Sequence, residues 1–134
     1  ILTESVQEWV DLAKRGDHAG FMDSNLRRIY SERYYRRNKW LTPLVGVLMK
    51  PKSYERFFRQ ADACLTHDAL AELPKIKAQT LVIGGEKDLA LGAEASRILA
   101  QHIPGAELRM YPQWGHGLYE EAGDFNDVVL AFLG

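Results

Sequence analysis

The stretch Thr80-Leu-Val-Ile-Gly-Gly-Glu-Lys-Asp88 decides the fold class of this chain. Residues 80–83 form a short apolar run rich in β-branched side chains, which is typical of a strand buried on both faces of a parallel sheet. Two glycines and an acid then follow the strand directly. The segment therefore predicts a buried strand that ends in a loop carrying a carboxylate.

The residues after this strand predict a strand-helix-strand-helix order. Apolar residues recur at helical spacing from Ala93 to His102, and Pro104-Gly105 ends that helix. Apolar and polar residues alternate over 106–111 as in a second strand, with Ala106, Leu108 and Met110 on one side, and a last helix runs through Phe125 to Phe132. Such an order implies a right-handed crossover between parallel strands. We therefore expect an α/β fold over residues 71–134.

Residues 1–70 have helical periodicity throughout and no strand pattern. Ser5 and Glu8 have capping-box spacing at the start of the first predicted helix, which ends at Arg15-Gly16. Further amphipathic helices are predicted at about His18 to Asn38, Pro43 to Met49 and Tyr54 to Leu65. The two parts also differ in charge: residues 1–60 carry 12 basic and 7 acidic side chains, whereas residues 61–134 carry 5 and 11.

Composition and length place the chain among soluble globular proteins, with 134 residues, 46% hydrophobic and 26% charged. The longest apolar run, Leu44 to Met49, is far shorter than the roughly 20 residues that span a bilayer, so no membrane crossing is expected. No secretory signal is visible, and because the chain starts at Ile1 we expect residues to have been removed upstream. The single cysteine, Cys64, is expected in the core, and a reducing, cytoplasmic location follows.

Asp88 and Trp114-Gly-His116-Gly117 carry the chemistry that the sequence suggests. Each lies just past the end of a predicted strand, and neighbouring strands are about 4.8 Å apart. Loops leaving the same edge of the sheet can bring the carboxylate onto the imidazole. An acid in that position fixes the tautomer of a histidine that accepts a proton. Taken singly, Asp88 could be a turn-capping residue and His116 a plain loop residue, and Glu86 is an alternate acid.

These residues resemble the C-terminal part of the α/β-hydrolase superfamily, and the similarity extends over about residues 71–134. It includes Leu73-Pro-Lys-Ile76, the strand to Asp88, Ile103-Pro-Gly-Ala106 and Gly115-His-Gly117. The resemblance implies that Asp88 is the acid and His116 the base of a catalytic triad. It also implies that residues 1–70 are the helical cap, or lid, that many members insert before this strand.

Chain order in that family is nucleophile, acid, histidine, which puts the nucleophile upstream of Ile1. None of the serines here has the Gly-x-Ser-x-Gly frame after a strand. The resemblance thus implies the C-terminal portion of a serine-type hydrolase of small ester, amide or related acyl substrates, which alone would be inactive. It implies no metal and no organic cofactor. We expect Tyr35, Trp40 and Phe58 to line an apolar substrate pocket. Dehalogenase, epoxide hydrolase, lyase and non-catalytic members stay open.

Two other functions remain open from the sequence. The segment 27–40 interleaves arginines and a lysine with tyrosines and a tryptophan, a composition that can bind nucleic acid or another anionic ligand. A basic helix face on a cap explains the same residues, so we expect a small-molecule substrate and no nucleic acid. Alternatively, the chain is a dimerisation module, because the first strand lacks a preceding neighbour and leaves an open edge that suits a homodimer.

Overall fold

The computed structural model describes residues 1–134 and contains eight α-helices and one two-stranded sheet. The helices are α1 (Leu2–Lys14), α2 (His18–Ile29), α3 (Glu32–Asn38), α4 (Thr42–Leu48), α5 (Glu55–Thr66), α6 (Ala93–His102), α7 (Leu118–Glu121) and α8 (Phe125–Leu133). The strands are β1 (Leu81–Gly85) and β2 (Glu107–Tyr111), and short 3₁₀ helices cover Lys39–Leu41 and Leu70–Lys75.

Strands β1 and β2 are parallel, as the sequence predicts, and α6 is the crossover between them. Their register pairs Leu81 with Glu107 at one end and Gly85 with Tyr111 at the other. Because both strands end at the same level, the loops that follow them leave side by side. The predicted order of strand, helix, strand and helix is confirmed.

Burial in the sheet differs in detail from the predicted pattern. Val82 is buried, but Leu81 and Ile83 are only half-buried. In β2, Leu108 is exposed and Tyr111 is buried. The sheet has two strands, and Leu108 borders an open groove with Val128 and Phe132 of α8. Its apolar side is therefore covered incompletely.

Residues 1–70 are helical, but two helix boundaries differ from the prediction. The expected helix from His18 to Asn38 is broken, because Tyr30 and Ser31 adopt extended backbone between α2 and α3. The Ser31 hydroxyl then accepts a hydrogen bond from the Tyr34 N–H and caps α3. Ser5 is not a cap: α1 begins three residues earlier, and Ser5 is fully buried within it.

Cys64 lies in a different environment from the one predicted, and His18 lies in the core. Cys64 is exposed rather than in the core, because residues 62–67, the last part of α5 and its C-cap, are all exposed and only Ala61 of that helix is buried. His18 does begin α2, but it is buried and its Nδ1 hydrogen-bonds the Tyr54 hydroxyl. Tertiary contacts, which periodicity does not report, decide both positions.

None of the helices combines the length and the apolar character that a bilayer crossing requires. Strand β1 has β2 on one side and no strand on the other. Pairing of a second copy along that open edge stays a prediction, which light scattering over a range of protein concentrations would test.

Candidate active site

The loops after β1 and β2 are joined by backbone hydrogen bonds at the edge of the sheet. The Glu86 N–H donates to the Tyr111 carbonyl at 3.0 Å, and the Lys87 N–H donates to the Trp114 carbonyl at 3.1 Å. These bonds fix the two loops relative to each other. They bring Asp88 and His116, 28 residues apart, to a separation of 2.9 Å between Asp88 Oδ2 and His116 Nδ1. The contact expected from the strand ends is therefore present.

Asp88 is held by its own loop as well as by the histidine. Its Oδ1 accepts hydrogen bonds from the backbone N–H groups of Ala90 and Leu91, both at 2.8 Å. Burial leaves only 9% of the side chain exposed and by itself raises the pKa of the carboxyl. The hydrogen bonds from His116, Leu91 and Ala90 outweigh burial, so the pKa of Asp88 lies below its usual value. Asp88 is a fixed, ionised acceptor.

His116 is the more accessible member of the pair, with 37% of its side chain exposed. The hydrogen bond to Asp88 raises the pKa of the imidazole, burial lowers it, and the net pKa is raised. Because an ionised carboxylate can only accept, Nδ1 carries the proton. In the neutral ring Nε2 is then unprotonated, and no group of the chain hydrogen-bonds it. The ring is set up to accept a proton at Nε2.

Glycines let the His116 loop sit against its neighbours. A Cβ on Gly85 would lie 2.4 Å from the carbonyl oxygens of Trp114 and Gly115. A Cβ on Gly117 would lie 2.9 Å from the ring of Tyr30. Real Cβ atoms do not approach that closely. Gly85 is therefore needed for a close approach of two backbones, whereas a Cβ on Gly117 would require the Tyr30 ring to shift, and neither glycine has a left-handed φ.

Replacing Asp88 by asparagine should lower the pKa of His116 in this chain. The neutral amide removes the charge and the hydrogen-bond acceptor that favour the imidazolium, leaving burial, which disfavours it. An NMR titration of the His116 ring protons in the wild-type and Asp88→Asn chains measures the shift. An unchanged His116 titration would contradict the coupling.

The same substitution should make stability depend differently on pH. The pKa of His116 is raised in the folded state, so this histidine stabilises the fold at pH values below its unfolded-state pKa of about 6.5. That contribution is lost as the pH rises through the raised pKa. Asp88 stabilises above its unfolded pKa of about 3.9, and that contribution is lost as pH falls through its lowered value. The difference in free energy of unfolding between wild type and Asp88→Asn should therefore be largest between about pH 3.9 and about pH 6.5, where both contributions are present.

The three aromatic residues predicted to line a substrate pocket lie in different places. Tyr35 is buried, and its hydroxyl donates to Asp23 and accepts from Arg27. Trp40 is 71% exposed. Phe58 belongs to an aromatic cluster with Tyr54 and Phe57. None of the three borders the large apolar cavity described next, and a contact of any of them with substrate stays a prediction.

An apolar cavity of about 420 Å³ lies within the helical half, next to the His116 loop. Ile29 and Tyr30 line it, and both also pack against Gly117. Eight of its eleven lining residues are hydrophobic. The other lining residues are Phe21, Met22, Asn25, Leu26, Tyr34, Asn38, Leu41, Thr42 and Val45.

Several basic residues of segment 27–40 are engaged within the chain. Arg28 pairs with Glu8, Arg36 with Glu32, and the Arg27 guanidinium lies 4.6 Å from the ring centre of Tyr35. Nucleic-acid or anionic-ligand binding by this segment stays a prediction, and salt-dependent retention on heparin would test it.

The alternate acid Glu86 and the adjacent residues His67 and Asp68 can also be located. Glu86 pairs with Arg97 of α6 and makes no hydrogen bond to His116. His67 follows the end of α5, and the Asp68 carboxylate accepts from the Leu70 N–H. No group of three or more His, Cys, Asp or Glu side chains is placed to hold a metal ion.

Sequence reasoning missed the contacts between the helical half and α7, the helix that follows the His116 loop. Ser31 donates its backbone N–H and its hydroxyl to the Glu121 carboxylate, at 2.8 and 2.6 Å. Tyr30 donates its hydroxyl to Glu120 at 2.8 Å. The available signal was Ser31 followed by Glu32, a helix-start pattern that predicts a break before α3.

The chain is similar in sequence to several known proteins and in fold to several solved structures. No family model matches the chain. It is 35% identical over 91 residues to a Methanothermobacter thermautotrophicus protein named "Probable acyltransferase", covering 66% of this chain and 28% of that protein. It is 40% identical over 62 residues to an Escherichia coli 2-hydroxy-6-oxononadienedioate/2-hydroxy-6-oxononatrienedioate hydrolase, covering 46% and 22%.

A solved structure matches almost the whole chain. The α/β hydrolase MGS-M2, from a Medee basin deep-sea metagenome library, aligns with a TM-score of 0.87 and 29% identity over 99% of this chain. The chain spans 50% of that protein's length. Together with the parallel β1–α6–β2 unit and the loops that end in Asp88 and His116, this match identifies the chain as a member of the α/β-hydrolase superfamily that corresponds to the C-terminal part of its fold.

Proposed function

We propose that this chain supplies the base and the orienting acid of a serine-type α/β hydrolase acting on a small ester, amide or related acyl substrate. The observation that carries the proposal is the hydrogen bond between Asp88 and His116 at the shared end of two parallel strands. The similar proteins support only the general reaction class: two are named hydrolases, and one is named a probable acyltransferase.

In the proposed mechanism, His116 moves protons and Asp88 stays ionised. Nε2 accepts the proton of a serine hydroxyl, outside residues 1–134, as its oxygen attacks the substrate carbonyl. The imidazolium that forms faces Asp88, whose buried carboxylate stabilises the positive charge. His116 then donates the proton to the leaving group, and the cycle repeats with water as the attacking group. The raised pKa of His116 predicts that activity falls as acid protonates the base.

We further propose that residues 1–70 act as a cap over the reaction centre, residues 71–134 belonging to the catalytic core. The apolar cavity beside Gly117 is the proposed place for the apolar part of the substrate. Its lining contributes few polar groups, which favours an uncharged acyl chain over a charged one.

Labelling of the full-length protein tests the proposed reaction class. A fluorophosphonate probe, which reacts with activated serines, should label a serine outside residues 1–134, and labelling should be lost in a His116→Ala variant. The 134-residue chain alone should be neither labelled nor active on a p-nitrophenyl ester. Ester turnover without any labelled serine would favour another nucleophile, and labelling of a serine within residues 1–134 would contradict the proposal.

The same assay can separate hydrolysis from acyl transfer. Adding an alcohol or amine acceptor lets an acyl-enzyme partition between water and the acceptor. A transferred acyl product that dominates over the free acid would favour an acyltransferase, in line with one relative's name.

A further inference from the structure

The end of α2 and the start of α3 contact both loops of the proposed catalytic pair. This corner, residues 28–31, lies in the helical half and makes no hydrogen bond to the Asp88 carboxylate or the His116 imidazole. On one side it hydrogen-bonds the loop that carries Asp88, and on the other the loop that carries His116. One short segment is thus in a position to set the distance between the two.

On the Asp88 side, Arg28 and Ser5 both lie within hydrogen-bond distance of one backbone carbonyl. Arg28 Nη1 and the fully buried Ser5 hydroxyl lie 3.3 and 3.2 Å from the Leu89 oxygen. Leu89 follows Asp88 directly, and the next two N–H groups hold the Asp88 carboxylate. The single Ser5 hydroxyl proton is shared between the Leu89 carbonyl and the Ile1 carbonyl, which lies at 3.0 Å. The loop is therefore held from outside mainly by Arg28 and from inside by Asp88.

Arg28 is itself fixed by a carboxylate of α1. Its Nε donates to Glu8 Oε2 at 3.0 Å, its Nη2 bonds the same oxygen, and Ser24 donates to Glu8 Oε1 at 2.8 Å. Burial raises the pKa of Glu8, but the hydrogen bonds from Arg28 and Ser24 lower it by a larger amount, so the pKa lies below its usual value. A charged, hydrogen-bonded pair thus holds the guanidinium toward Leu89.

On the His116 side, the broken helix releases a carbonyl. In a helix running on through Ser31, the Ile29 carbonyl would accept from the N–H four residues later. Because α2 ends at Ile29, that carbonyl accepts from the Gly117 N–H instead, at 2.6 Å. Ser31 adds two hydrogen bonds to Glu121 of α7, the helix that follows His116. The break between α2 and α3 thus frees the Ile29 carbonyl to bind the His116 loop.

We propose that the corner at residues 28–31 positions the Asp88–His116 pair, with Arg28 holding the Asp88 loop through Leu89 and Ser31 holding the His116 loop through Glu121. The inference rests on the proposed function for its catalytic meaning, but the positioning itself is a property of this chain. Arg28 and Ser31 are positioning residues rather than catalytic ones, because neither hydrogen-bonds the Asp88 carboxylate or the His116 imidazole. Movement of α2 would disturb both loops together.

The test uses isotope-labelled chains with Arg28→Met, Glu121→Gln and both. Arg28→Met keeps an unbranched side chain but removes the donors to Leu89, and Glu121→Gln weakens the acceptor for Ser31. NMR reports the His116 titration and the exchange rate of its Nδ1 proton with water. Each variant should move the His116 pKa toward the ordinary histidine value and speed proton exchange, and the double variant should do so most.

Controls separate positioning from general destabilisation. Arg59→Met removes an exposed helical pair with Glu55 and should leave the His116 signals unchanged. Arg28→Lys keeps a cation and should restore part of the wild-type titration, which loss of packing alone would not predict. Should Arg28→Met fail to fold by circular dichroism, the Arg28→Lys and Glu121→Gln chains carry the test.

The outcomes distinguish this inference from the proposed function. Wild-type titration and exchange in folded Arg28→Met and Glu121→Gln chains would overturn the positioning role, whatever the catalytic data show. Perturbed His116 signals together with about a tenfold or larger fall in kcat of the full-length variants would support both. If the His116 signals are perturbed in the Arg28→Met and Glu121→Gln chains but the full-length His116→Ala protein is fully active, the positioning role stands and the proposed function is excluded.

Discussion

Replacing His116 by alanine in the full-length protein should lower kcat for ester hydrolysis by about a thousandfold or more. In the His116 ring, Nδ1 is hydrogen-bonded to an acid and Nε2 has no hydrogen-bond partner in the chain. Alanine removes this ring. The serine would then attack without a base to take its proton. KM should change little, because the imidazole is proposed to act on the proton rather than to bind the substrate.

His102→Ala is the matched control for this experiment. His102 lies exposed at the end of α6 and hydrogen-bonds only the Ile98 carbonyl of its own helix, at 2.8 Å. Its removal should leave kcat unchanged. Asp88→Asn should fall between the two variants, because it leaves the imidazole in place but removes the group that orients it. Equal rates for wild type and His116→Ala would exclude His116 as the base.

Gly85→Ala should destabilise the chain by about 2–3 kcal/mol, the upper range for inserting a methyl group into a packed region. The new Cβ would lie 2.4 Å from two backbone oxygens of the His116 loop, those of Trp114 and Gly115. Backbone atoms cannot rotate away as the end of a side chain can, so the loop itself must move. Chemical denaturation measures the free energy of unfolding, and the Asp88–His116 contact should weaken in parallel.

Gly123→Ala is the control for the added methyl group. Gly123 is exposed, its φ is not left-handed, and a Cβ there would meet no atom within 4 Å. Its replacement should change stability by a few tenths of a kcal/mol at most, in the stabilising direction if at all. A Gly85→Ala chain as stable as the Gly123→Ala chain would show that the loop is free to shift.

The parallel strands and the meeting of Asp88 with His116 were predictable from sequence because they depend on local signals. An apolar β-branched run, a helix that ends at a Pro-Gly pair and a second strand leave few topologies. Two loops on neighbouring parallel strands must then emerge close together. The close approach of Gly117 to Tyr30 and Ile29 depends instead on how separate segments pack.

The contacts that hold these loops from the helical half were not predictable in the same way. Ser5 has the spacing of a helix cap, but it lies inside α1, and its hydroxyl is near both the Ile1 carbonyl, at 3.0 Å, and the Leu89 carbonyl 84 positions away, at 3.2 Å. The apolar periodicity of 18–38 continues through the break at Tyr30, and only Ser31 hints at it. Periodicity reports which face of a helix is buried, whereas such contacts depend on how separate segments pack.

The tautomer of neutral His116 tests the account most directly. A two-dimensional NMR spectrum that correlates the ring nitrogens with the ring carbon-bound protons, recorded above the His116 pKa, assigns the proton to Nδ1 or Nε2. With Asp88 accepting at 2.9 Å, we predict a protonated Nδ1 and a bare Nε2 in the wild-type chain, and a loss of that preference in Asp88→Asn. A proton resident on Nε2 in the wild-type chain would contradict the account.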